Sequence, residues 1–513
     1  MRLFKKLFVL LSLVIVLVVS ACTSQKEINI EGSMTIAIYK TSITVNTTFV
    51  DSEGLLAEQL AKIHLTVADS EEKEVNRKNV TVNAETLVGN AVDVTGLEAD
   101  TSYTVKLIAS LDGDQKTLET KTVKTINNGE SAEDPIVIST KADLEAMSKE
   151  PSAYYRLDAD LDFEGEELSA IFTSSNPFKG HLDGNNHSIS NFTLDADTTY
   201  SGVFGYIKGA TISKLTIKDA TFNAARGERY LAALAGKAEN AEITDVTVDG
   251  ISISYSGQTS KTAYIGGLLA WSENSKISNV VVKNMSITTP KARLKVYIGG
   301  FVGYNKNSAI SNASVEGKME ITVGYSSHTN GLAYIGGFVG LNDSSKGITT
   351  AYANVNITVA EIDEYSGYKT HTAYIGGFVA GNSSTVCKLS DCAAIGDITV
   401  TLTRSYNVYA GGLYGRLIQG STVENCVYKP VENGITLTLM ADGAEDKALQ
   451  KAFVGLVGGY QDQYTKLNNV FATLDKFACT PVASEANQIT VNTGSVSTDL
   501  SKLSDTIKNV INK

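Results

Sequence analysis

Tyr297-Ile298-Gly299-Gly300-Phe301-Val302-Gly303, followed by Ile310-Ser311-Asn312-Ala313-Ser314-Val315, is one copy of a unit that recurs eight times between Tyr200 and Tyr460. The clearest other copies begin at Tyr264, Tyr334 and Tyr374. Self-similarity at this period predicts a solenoid, whose units bury their apolar faces only against their neighbours. Two columns measure the repeat. The first takes the residue opening each glycine-bracketed core: Gly202, Ala233, Gly267, Gly300, Gly337, Gly377, Gly412 and Gly455. The second takes the small apolar residue of the strand that follows: Leu215, Val246, Val280, Ala313, Ala351, Cys392, Cys426 and Val470. Steps from first to second are 13, 13, 13, 13, 14, 15, 14 and 15 residues, whereas steps from second to the next first run from 18 to 29. All the length variation therefore falls in one connection, which carries the loops.

A column recurring once per repeat is what a parallel β-coil produces, because successive rungs stack at about 4.8 Å. The fold class expected is all-β, a parallel β-helix preceded by a small sandwich. The residue before the second column is Asn279, Asn312, Asn425 or Asn469, with Asp245 and Asp391 as variants, which predicts an amide ladder at a bend. The paired glycines admit a bulge that shifts side-chain parity or a close approach of neighbouring backbone. A phosphate-cradling loop would need one glycine-rich turn opening a helix, not glycines repeated in every rung.

These residues resemble the GLUG motif: Gly300-Phe301-Val302-Gly303 and the copies at Gly202, Gly337, Gly412 and Gly455 match it, those at Gly267 and Gly377 end in alanine, and the one at Ala233 begins with it. The preceding Asp134-Pro135-Ile136-Val137-Ile138, Ala142 to Met147, Tyr155 to Leu161 and Phe178 to Ile189 are similar to the lead-in of surface-located GLUG proteins. The resemblance covers residues 134 to about 480 and implies a right-handed β-helix on a bacterial cell surface. It brings no single activity.

Arg2, Lys5 and Lys6 precede the apolar run Leu7 to Val19, too short to span a membrane and of the length of a secretory signal. Val19-Ser20-Ala21-Cys22 resembles a bacterial lipobox, which implies that Cys22 is lipid-modified and that the membrane is a partner through that lipid. The net charge of −12, three of whose positive contributions lie in the signal, argues against nucleic acid as a partner. The expected organisation is a signal peptide (1–21), a lipidated tether (22–28), a sandwich (29–126), a linker (127–134), an N-terminal cap (135–195), the solenoid (196–484) and a closing segment (485–513).

In the sandwich, Val94 to Val105 resembles the E to F corner of a fibronectin type III domain, which implies that Tyr103 hydrogen-bonds back to the backbone. The family's core tryptophan is missing, since Trp271 lies in the solenoid. In the closing segment, Leu500, Leu503, Ile507, Val510 and Ile511 recur at helical spacing, predicting an amphipathic helix that caps the open coil.

Cys387, Cys392, Cys426 and Cys479 remain after Cys22. Cys392 and Cys426 share a column, within reach of a disulfide; the reading taken is two buried thiols filling a small-residue slot. No metal or cofactor is expected. The Cys387 to Cys392 spacing has no zinc pattern, and the five histidines contain no His-Glu-x-x-His pair. His181 and His187 flank Asp183 and are read as turn and strand residues. No carboxylate cluster of the kind a lyase or glycosidase needs recurs on adjacent rungs.

The leading functional reading is a non-catalytic surface lipoprotein that binds glycans or proteins through its variable connections. The candidate contact loops are Tyr255-Ser256-Gly257-Gln258, Tyr325-Ser326-Ser327-His328, Tyr365-Ser366-Gly367-Tyr368-Lys369 with His371, and Arg404-Ser405-Tyr406. Tyrosine beside Ser and Gly is adaptable contact chemistry, and equally a solvated flank. A polysaccharide-active enzyme of pectate-lyase-like architecture and a pure spacer are the alternatives.

Overall fold

The computed structural model describes residues 28–39, 41–126, 129–194, 198–224, 229–256, 262–292, 295–323, 331–361, 371–403, 406–440, 452–472, 477–481, 489–491 and 505–511. Cys22 and its signal lie outside them. The chain divides into two compact units at Asn128/Gly129.

The first unit is a seven-stranded antiparallel sandwich. Strands β1 (Ile30–Ile38), β2 (Ser42–Asp51) and β5 (Val92–Thr95) form one sheet in the order β1-β2-β5. Strands β3 (Lys62–Ala68), β4 (Glu74–Val80), β6 (Ser102–Leu111) and β7 (Asp114–Lys124) form the other in the order β4-β3-β6-β7. Alternation along β2 buries Ile43, Val45 and Phe49 against Leu65, Val67, Val105 and Leu107 of the facing sheet. The amide of Glu98 donates to Tyr103 Oη at 2.9 Å, fastening the turn before β6.

Among its described residues the second unit is a parallel solenoid of three sheets with 18, 9 and 8 strands. Each coil contributes a short strand such as Lys295–Gly299 to the 9-stranded sheet, turns at Gly300-Phe301, and gives Val302–Lys306 to the 8-stranded sheet. A bend then leads to a long strand such as Ala309–Val323 in the 18-stranded sheet. The second column is continuous: Val246 pairs with Val280, Val280 with Ala313, and Ala313 with Ala351, which pairs with Cys392. All point into the core. The first column holds from Ala233 to Gly412 and slips by one residue at each end. Gly411 pairs with Gly455, so Gly412 faces Leu456; likewise Ser201 pairs with Leu231, which sets Val203 opposite Ala233. Gly202 and Gly455 thus belong to the column of Gly266, Gly299 and Gly336.

The glycine pair works by close approach. A Cβ on Gly299 would run into the Val302 carbonyl, and one on Gly300 into that of Gly337. Neither glycine has a positive φ. The tight turn lets Ile298 and Phe301 both face inward. Phe301, Phe338 and Phe378 stack within the core at 4.6 and 4.7 Å.

The bend before the second column is left-handed: Asp245, Asn279, Asn312, Asp391, Asn425 and Asn469 have φ between 49° and 55°. Asn and Asp tolerate that region because a short polar side chain bonds locally. Asn279 donates to Asp245 at 3.0 Å, Asn312 to Asn279 at 2.7 Å and Asn469 to Asn425 at 3.0 Å. The other bend is lined inside by polar groups that satisfy one another, Asn305 with Asn342 at 2.7 Å and Ser272 with Ser308 at 2.7 Å.

Winding begins earlier than residue 196. His181–Asp183 pairs in parallel with Tyr154–Leu157 on one side and Thr211–Ser213 on the other. A short helix, Lys141–Ala146, carries a Thr140/Asp143 capping box and buries Leu144 near that end. The C-terminal helix is present as Asp505–Ile511, but its placement corrects the expectation of an end cap. Ile507 and Ile511 pack on Ala393, Val427 and Phe471, with Tyr352 beside them. Those four share a register and alternate with the inward Ala351, Cys392, Cys426 and Val470, so the helix covers the outer face of the long sheet. Leu500 and Leu503 lie outside the described residues.

Candidate functional site

The leading aromatic residue of each coil projects outward from the 9-stranded sheet. Tyr200, Tyr230, Tyr264, Tyr297, Tyr334, Tyr374, Tyr409 and Phe453 pair coil to coil, and their ring centroids lie 4.6, 4.6, 4.9, 5.3, 4.6, 5.0 and 5.0 Å apart. A second outward column stands on the 8-stranded sheet: Tyr206, Lys237, Trp271, Tyr304, Leu341, Gly381, Arg416 and Tyr460 are in register. The two columns meet across the corner. Tyr264 and Trp271 are 5.1 Å apart, Tyr297 and Tyr304 6.1 Å, and Tyr409 and Tyr460 6.0 Å.

The closing position of the motif, glycine in most coils and Ala270 or Ala380 in two, keeps the two columns close. A Cβ at Gly303 would lie 2.7 Å from Ala270 O and 2.8 Å from Ile265 O, so a larger residue would pry the two sheets apart. The result is an aromatic seam along the outside of the solenoid, deepest at Tyr334 and Tyr374, which are buried, and half-exposed at Tyr264, Trp271, Tyr297 and Tyr304.

Charged residues line its rim. Lys237 sits over the rings of Tyr206 and Trp271 at 5.4 and 5.5 Å and reaches Glu273 at 3.4 Å, while Lys306 pairs with Glu273 at 2.7 Å. Tyr206 donates to Glu239 at 2.7 Å, and that bond, with Lys208 and Lys237 nearby, holds the Glu239 carboxyl below its ordinary value against the opposing effect of burial. Burial, with Asp343 beside it, pushes the Tyr304 phenol upward. Arg416 lies 5.5 Å from the Tyr374 ring centroid and donates to Tyr374 Oη at 3.4 Å. Neutral phenols and paired charges give this face donors and acceptors at every coil.

Of the loop residues read as ligand contacts, Tyr325, His328, Tyr365, Tyr368 and Arg404 lie outside the described residues. Tyr255 ends the strand Glu242–Tyr255 with its side chain buried, and His371 opens His371–Gly376, also buried, accepting the Gly331 amide at Nδ1 at 2.7 Å. Both are corrected from contact residues to packing residues, because they stand where a strand meets the core. Tyr406 opens Tyr406–Gly411, in register with His371. The sequence reading noted the leading tyrosines but missed the second wall, whose mixed chemistry hides it. Its signal is a fixed offset of four residues past Ala233, Gly267, Gly300, Gly337, Gly377 and Gly412.

Among the described residues no group of three or more His, Cys, Asp or Glu could hold a metal ion. No described helix is long and apolar enough to cross a membrane. Cys387, Cys392 and Cys426 are free, buried thiols, as the thiol reading has it. Tyr154, His181 and Asp183 line a separate cavity of about 240 Å³ at the N-terminal end of the solenoid.

The GLUG motif model matches residues 296–322, one tyrosine strand, its glycine turn and the long strand after it. The model described as the M26 IgA1-specific metallo-endopeptidase N-terminal region matches residues 91–250. Halomucin of Haloquadratum walsbyi is 29% identical over 140 residues, covering 24% of this chain and 2% of halomucin. A solved IgA1 protease aligns with 14% identity and a TM-score of 0.33 over 86% of this chain and 33% of its own. The Yersinia enterocolitica family 28 exopolygalacturonase aligns with 10% identity and a TM-score of 0.20 over 90% and 99%. The chain thus spans a small part of halomucin and a third of the IgA1 protease chain.

Proposed function

We propose that this chain is a non-catalytic, lipid-anchored bacterial surface protein whose solenoid presents a binding face to glycans or proteins. The observation that carries the reading is the outward aromatic seam. Repeating rings with a paired, polar rim give an extended surface that is apolar along its floor and hydrogen-bonding along its edge, the composition of adaptable contact surfaces. The GLUG match and the name of halomucin support a surface location. The M26 match is to an N-terminal region, which supports a non-catalytic role. Anchorage rests on the lipobox at Cys22. The first unit is read as a fibronectin type III-like spacer, on its strand order and the Tyr103 to Glu98 bond.

The test incubates the purified chain with a panel of polysaccharides and surface proteins. Retention without new reducing or unsaturated ends, weakened by Trp271→Ala with Tyr264→Ala, is expected. New ends would overturn the non-catalytic reading, and no retention would leave a spacer. Metabolic labelling with a fatty acid, lost in Cys22→Ala, checks the anchor.

A further inference from the structure

At the N-terminal end of the solenoid a second column of rings stops short. Tyr154 and His181 occupy the same outward position on neighbouring strands, and their rings lie parallel, 4.2 Å apart with a 9° angle between planes. The next residue in the column is Thr211, followed by Glu242. Thr211 brings no ring, so the ring stack ends at His181, which lines a cavity together with Thr211.

The adjoining outward column is Arg156, Asp183 and Ser213. Both columns line a cavity of about 240 Å³ that Ala132 and Pro135 wall on another side. Arg156 is fixed by two bonds to Asp158, at 2.7 and 3.0 Å, and Asp183 accepts the Asn185 amide at 2.9 Å and stands 3.4 Å from Lys214. Each charge therefore has an opposite partner. The side wall offers donors and acceptors without a net charge.

We infer that this cavity is a subsite for one neutral pyranose ring, stacked by its apolar C–H face on His181 and hydrogen-bonded at its edge by Asp183, Ser213 and Arg156. Its volume falls below the roughly 300–1,000 Å³ of sites for drug-sized ligands, which restricts it to a smaller group. Sugar hydroxyls donate and accept, which the alternation of Arg156, Asp183 and Ser213 serves. This site lies apart from the aromatic seam and stands or falls independently of it.

The experiment is saturation-transfer NMR on the full chain with four probes, the methyl glycosides of glucose, galactose, mannose and N-acetylglucosamine, and adenosine as a flat-ring control. At least one glycoside should receive transfer, and adenosine none. His181→Ala should weaken the affinity about tenfold, His181→Phe should keep it, and Thr211→Tyr, which continues the ring stack into the slot, should abolish it. Thermal midpoints identify any variant that misfolds, and the His181→Phe and His181→Ala pair then decides. No transfer to any glycoside, transfer to adenosine alone, or equal transfer in wild type, His181→Ala and Thr211→Tyr overturns the site. Because polysaccharide retention is read with Trp271 and Tyr264 variants, failure here leaves the seam reading standing, and the reverse.

Discussion

Asn312 hands its side-chain amide to Asn279 Oδ1 at 2.7 Å, one coil below, while both hold a left-handed backbone. Shape and hydrogen bonding therefore make separate demands on one residue. Asn312→Ala loses the amide bond and the short polar side chain that lets Asn tolerate this region, and should cost about 1–2 kcal/mol. Asn312→Gly keeps the conformation and loses only the amide, so it should cost less. Denaturant midpoints of the two variants check the order; equal costs would show that the amide ladder alone matters.

Gly300→Ala should destabilise the solenoid by about 3 kcal/mol or more, as overpacking does when neighbouring backbone has no room to move. Its new methyl would meet the Gly337 carbonyl. Gly303→Ala should be milder, since its new methyl would stand 2.7 Å from the nearest oxygen, Ala270 O, against 2.2 Å at Gly300. Thermal unfolding of both variants gives the ranking.

Acid should loosen the seam. Glu239 has an ordinary value of 4.5 and is held lower when folded, first by the bond from Tyr206. A carboxylate with a depressed folded pKa contributes stability above its unfolded pKa, and that contribution disappears as pH falls through the folded value. Stability measured downward from about pH 5 should thus decline, and Glu239→Gln should make the decline shallower. An unchanged slope would mean that the Tyr206 bond is indifferent to charge.

The three described thiols should resist alkylation in the native protein. Burial pushes Cys387 up to about 12 and raises Cys392 well above the usual thiol range. Iodoacetamide at mildly alkaline pH should modify them only after denaturant is added, read by mass spectrometry of peptides. Labelling of Cys392 in the folded chain would contradict its packing.

The columns could be read from sequence because a coil repeats its constraints: Asn or Asp stands at most of the left-handed bends, with Lys214 and Thr350 at two others, and glycine stands at most of the backbone contacts. The slip at Gly455 was hidden by a local string, Gly455-Leu456-Val457-Gly458, that has the motif's spacing, while register follows the next glycine, Gly459. The helix at Asp505–Ile511 was legible from its apolar stripe, but its seat was not. That depended on Ala393, Val427 and Phe471 being apolar at outward positions, a parity fixed only by the left-handed bend. Tyr255 and His371 were placed in loops by their polar neighbours, although each belongs to a strand end that the core reaches. The seam's second wall escaped because Lys237, Trp271, Leu341 and Arg416 share a place and no chemistry.

Because most of the unequal length joins the end of a long strand to the start of a tyrosine strand, the paired strands of the interior keep their register across it. Those connections behave as exchangeable cassettes on a constant spool, so a foreign peptide grafted between Val323 and Leu332 should leave the winding of adjacent turns untouched.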